Sequence, residues 1–63
     1  MKKEVVLNGL ILGMEQCGAV FVKQTETEIH FNIPKESTIN SKERIDRAKN
    51  SFKQMLNLKL KIN

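Results

Sequence analysis

The sequence predicts an α+β fold: an antiparallel β-meander of three or four strands, one C-terminal amphipathic helix, and a short strand-like tail. Three patterns lead there. Residues 28–33 alternate polar and apolar side chains. Ile45, Ala48, Phe52, Met55 and Leu56 recur at the spacing of one helix face. Residues 58–62 alternate strictly once more. The expected layout is a single small domain over 1–63, with the meander strands within about 3–34, the helix over about 41–57 and the tail over 58–62.

Residues 5–14 are apolar in both registers of a strand. They read either as a hairpin turning at Asn8-Gly9, where both turn positions need positive φ, or as one long strand bent by a bulge at Gly9. Gln16-Cys17-Gly18 offers a second turn. Residues 19–22 form a strand by their β-branched and aromatic content, and Gln24-Thr25-Glu26-Thr27 closes it. In the next strand Ile29, Phe31 and Ile33 share one face, and Glu28, His30 and Asn32 the other. Pro34 ends it, because proline has no N–H for the ladder.

Residues 35–40 form a polar connector. Asn40 or Ser41 caps the helix, and Asn40 with Glu43 has capping-box spacing. Asn57, which tolerates the left-handed conformation, ends it. The tail belongs either to the sheet as a last strand or against another subunit. The expected core comprises Val20, Val22 or Phe21, then Ile29, Phe31, Ile33, Ile45, Ala48, Phe52 and Leu56. At the level of fold alone, the glycine-punctuated first strand followed by residues 20–33 resembles small barrels of the Sm or SH3 type, and it shares no functional residue with them.

The chain has 63 residues, 40% of them apolar and 5% aromatic. A domain this short buries only about 60% of its unfolded surface. Its single cysteine excludes an internal disulfide. A thin, unstapled core favours a homo-oligomer, with Leu58, Leu60 and Ile62 of the tail as candidate oligomer contacts. It argues against an enzyme and a small-molecule substrate, because little core remains from which to carve a pocket. Apolar runs such as Leu10-Ile11-Leu12 fall far short of the roughly 20 residues of a membrane span. Lys2 and Lys3 before Val5-Val6-Leu7 look like the start of a signal peptide, but Glu4, Asn8 and Gly9 interrupt it. A reduced, cytoplasmic setting is expected. Nine lysines against two arginines, with six asparagines and six isoleucines, is the bias of an A/T-rich coding sequence, as in a low-GC bacterium or its phage.

No catalytic, cofactor-binding or metal-ligating set is expected. Cys17 and His30 are the only textual nucleophile–base pair, and nothing in their spacing requires them to meet. Structural zinc wants four Cys or His ligands, and the chain holds two such residues. Glu28 and His30 share a strand face and read as a surface pair. None of the three glycines precedes the helix as a phosphate-cradling loop would require.

Charge is the more informative signal. The net charge of +4 divides into −1 over residues 1–34 and +5 over residues 35–63. On the helix, Lys42, Lys49 and Lys53 fall within about 40° of one another beside the apolar stripe. Arg47 lies on the outer face, and Lys59 and Lys61 follow in the tail. These six residues are candidate contacts for nucleic acid or an acidic partner; the ordinary alternative is a solvated face whose lysines snorkel. Together these readings give a small non-enzymatic protein-binding module, a regulator, adaptor or inhibitor that acts as a homo-oligomer. The alternative is a nucleic-acid-binding protein using the basic helix flank and tail.

Overall fold

The structure, a computed structural model, describes residues 2–63. The element order is α1 (Lys3–Gln16), β1 (Val20–Gln24), β2 (Glu28–Asn32), α2 (Lys42–Leu56) and β3 (Lys59–Ile62). The three strands form one mixed sheet in the order β1-β2-β3, with β1 antiparallel and β3 parallel to the central β2. Two parallel neighbours joined by a helix make β2-α2-β3 a crossover unit, preceded by a helix and a hairpin strand.

The expected meander followed by a single helix is therefore incorrect, and so is any barrel. Residues 5–14 form neither hairpin nor bent strand; they lie in α1. Val6, Leu7, Leu10, Ile11 and Met14 recur at helical spacing and pack as one face on the core, with Met14 buried. The helix carries two internal glycines and has no side-chain cap at its start. Local propensity therefore argues against it, at a cost of about 1 kcal/mol per glycine relative to alanine. Tertiary burial of the apolar face outweighs that cost, as it does for most short helices.

Gly18 ends α1. Its φ is +101°, its N–H donates to the Glu15 carbonyl at 3.0 Å, and the Ala19 N–H reaches back to the Met14 carbonyl at 3.0 Å. Both Met14 and Ala19 are buried, supplying the apolar contact that accompanies this kind of helix end.

The β1–β2 hairpin follows. Thr25 organises its turn: Thr25 Oγ1 accepts from Glu28 N–H at 3.0 Å, and Thr25 N–H donates to the Glu28 carbonyl at 2.8 Å. Register slips between Phe21 and Lys23, leaving Val22 as a bulge. All five β1 residues are exposed, so Val20, Phe21 and Val22 are not the core positions their composition suggests. The strand lies at the sheet edge, where a bulge also discourages uncontrolled pairing.

Ile29 and Phe31 of β2 are fully buried. Phe31 stacks edge-on against Phe21 at 5.7 Å and packs against Phe52 of α2 at 6.1 Å. Leu56, Leu58 and Leu60 complete this side of the core. Ile33, Ile45 and Ala48 are half-buried. Ile39, in the connector that reads as polar, is buried, and its N–H donates to the Cys17 carbonyl at 3.2 Å. Ser41 is the N-cap of α2, accepting from Arg44 N–H at 3.2 Å. Asn40 is spent elsewhere: its side chain donates to the Lys35 carbonyl at 2.8 Å. Asn57 ends α2 at φ 55°, and the Leu58 N–H donates to the Phe52 carbonyl at 3.2 Å.

Candidate functional site: a basic groove at the β3 edge

Pairing in β3 decides where each tail residue points. Lys59 aligns with Glu28, Leu60 with Ile29, Lys61 with His30 and Ile62 with Phe31. Aligned residues share a sheet face. Leu60 and Ile62 therefore turn toward the helices, while Lys59 and Lys61 join Glu28 and His30 on the open face. Leu58 and Leu60 are buried in this chain's own core, and Ile62 packs against it. Of the three candidate oligomer contacts, Leu58 and Leu60 are thus buried within one chain and Ile62 is half-buried, because parallel pairing lays Leu60 beside Ile29 and Ile62 beside Phe31.

The candidate basic residues divide. A groove of about 800 Å³ between α2 and β3 is lined by Asp46, Lys49, Asn50 and Lys53 from the helix and by residues 58–62. Consecutive β3 residues all line it although their side chains alternate between faces, so the groove wraps the free edge of the strand. It gathers Lys49, Lys53, Lys59 and Lys61. Lys42 lies on the same helix flank, about 10 Å nearer the N-terminus of α2. Arg47 borders a separate hollow with Ile39, Glu43 and Arg44.

The ionic state of the groove follows from its partners. The only basic–acidic side-chain contact among the described residues joins His30 Nε2 and Glu28 Oε1, at 3.1 Å. Among the described residues, the four groove lysines have no carboxylate within 4.0 Å. One aspartate faces four uncompensated ammonium groups, so the groove carries a local positive field. By contrast, a hollow of about 190 Å³ between α1 and α2, lined by Gly9, Gly13, Ala48 and Ser51 over Met14 and Phe52, has no ionisable group in its wall.

Cys17 packs against the core side of the sheet, and His30 occupies the other face in contact with Glu28. The two do not meet. No cluster of three or more His, Cys, Asp or Glu side chains exists among the described residues. No helix among them is long and apolar enough to cross a membrane.

Two features of the site were legible only in part. The basic flank of α2 is visible in the helix periodicity, but its meeting with Lys59 and Lys61 needs β3 to return beside β2. The free strand edge has no side-chain signature. No family model matches the chain, no curated protein matches it, and no solved structure matches it.

Proposed function

We propose that this chain is a small non-enzymatic protein-binding module, acting as a homo-oligomer, whose contact surface for an acidic partner is the α2–β3 groove. One observation carries the reading: four lysines without carboxylate partners converge on a groove with Leu58, Leu60 and Ile62 in its wall. Charge from the four lysines beside the half-buried Ile62 suits a polypeptide. Self-association finds support elsewhere than in the tail. Val20 and Val22 on the outer strand are about half exposed, at 51% and 46%, and Val5 and Leu12 on α1 are 60% and 55% exposed. Exposed apolar side chains of this kind offer a surface that a second copy can cover.

The second reading is nucleic-acid binding, favoured by the same four lysines. Against it, the open sheet face presents no aromatic platform: Phe21, Phe31 and Phe52 stack with one another on the helix side. Fluorescence anisotropy with polyglutamate and with an oligothymidylate, each at two salt concentrations, separates the two. The protein reading expects tighter binding of the acidic polypeptide. Preference for the oligonucleotide, with affinity falling steeply as salt rises, overturns it. Sedimentation velocity tests the oligomer: Val20→Lys with Val22→Lys is expected to give monomer, and a monomeric parent chain removes that part of the proposal.

A further inference from the structure

Backbone geometry narrows the occupant of the groove. The Lys59 N–H donates to the Thr27 carbonyl at 2.9 Å and the Asn63 N–H to the Phe31 carbonyl at 2.9 Å. Successive strand amides point to opposite sides, so the N–H and C=O groups of Leu60 and Ile62 point away from β2. β3 is an outer strand, and those groups have no neighbour strand within the sheet. Main-chain donors and acceptors that no strand takes up, at Leu60 and at the more accessible Ile62, are a template for one more strand along the groove.

We infer that the groove takes an extended segment of alternating acidic and apolar residues, which adds to β3 as a fourth strand. This rests on the protein-binding reading above and names the partner's chemistry. Lys59 and Lys61 stand on one face two residues apart, about 6.6 Å along the strand. Carboxylates at every second position of an added strand repeat at the same interval. The intervening side chains turn to the helix side, beside Leu60 and Ile62, with Lys49 and Lys53 at the rim. Self-pairing through this edge is disfavoured: two copies of β3 laid antiparallel place lysines opposite lysines, and like charges directly opposite destabilise a sheet. The occupant is therefore a different, acidic chain.

Two peptides test this against uniformly ¹⁵N-labelled protein. One is a capped Glu-Val repeat of eight residues; the other has the same sequence with every amide N-methylated, which keeps the carboxylates and removes the donors. The expected result is at least tenfold slower hydrogen exchange at the Leu60 and Ile62 amides with the first peptide, and at least tenfold weaker binding of the second. Lys59→Glu with Lys61→Glu, both outside the core, is expected to abolish binding of the first. Equal affinity for both peptides with no protection at Leu60 and Ile62 overturns strand addition while leaving an acidic-partner groove intact. Binding of an oligothymidylate but of neither peptide overturns the protein-binding reading and this inference with it.

Discussion

A Cβ placed on Gly18 would lie 2.6 Å from the Cβ of Ser37. The helix-ending glycine of α1 and the loop before α2 are thus in direct backbone-level contact, and the φ of +101° at Gly18 independently requires glycine. Gly18→Ala combines a forbidden conformation with a clash. It is expected to cost about 1–3 kcal/mol, read as a lower urea midpoint. An unchanged midpoint would contradict this close approach of Gly18 to Ser37.

Gly9 and Gly13 make the opposite case. A Cβ at either position meets nothing within 4 Å, and both lie inside α1. Gly9→Ala is expected to stabilise the chain by about 0.5–1 kcal/mol and to raise helical circular dichroism. In a hairpin turn with positive φ the same substitution would destabilise, so the sign of the effect alone decides between helix and turn.

Phe52 is 1% exposed and packs against Phe31, whereas Phe21, its counterpart across Phe31, is 39% exposed. Phe52→Ala is expected to cost about 3–5 kcal/mol, comparable with the whole stability of a domain this size. Phe21→Ala should cost clearly less. Chemical denaturation of the two variants side by side checks the ranking; equal losses would contradict the core described above.

The Ser41 side chain caps the start of α2, accepting from Arg44 N–H. Ser41→Ala should cost about 0.5–2 kcal/mol, while Asn40→Ala, which removes only a bond to the Lys35 carbonyl, should cost less. Thermal melts of both variants distinguish them.

In the groove, Lys49→Glu with Lys53→Glu is expected to weaken binding of an acidic peptide at least tenfold. Arg47→Glu, which borders another hollow, should leave it within about twofold. Equal losses in a titration would show a diffuse charge effect rather than a groove.

The C-terminal half was readable because its patterns are periodic over enough residues. The stripe of Ile45, Ala48, Phe52 and Leu56 gives α2, although Met55 of the same spacing is exposed; Asn40 or Ser41 marks its start and Asn57 its end, and strict alternation gives β3. In β2, Ile29 and Phe31 are likewise assigned to the buried face by period two alone. Residues 5–14 were not readable in that way. Their apolar content satisfies strand and helix periods alike, and Asn8-Gly9 is a strong hairpin signal. The helical signs were the spacing of Val6, Leu7, Leu10, Ile11 and Met14, and a glycine four residues after the last of them.

By itself, then, the sequence determined the buried face of β2, that of α2 except for the exposed Met55, a helix start at Asn40 or Ser41 and its end at Asn57, and the concentration of positive charge after residue 34. Only the tertiary structure decided that residues 5–14 are helical, that Leu58 and Leu60 are internal, and that Lys49 and Lys53 meet Lys59 and Lys61. The reason is common to all three. Each depends on contacts between segments distant in the chain, α1 against α2 for the first and β3 beside β2 for the others, and such contacts leave no trace in local periodicity.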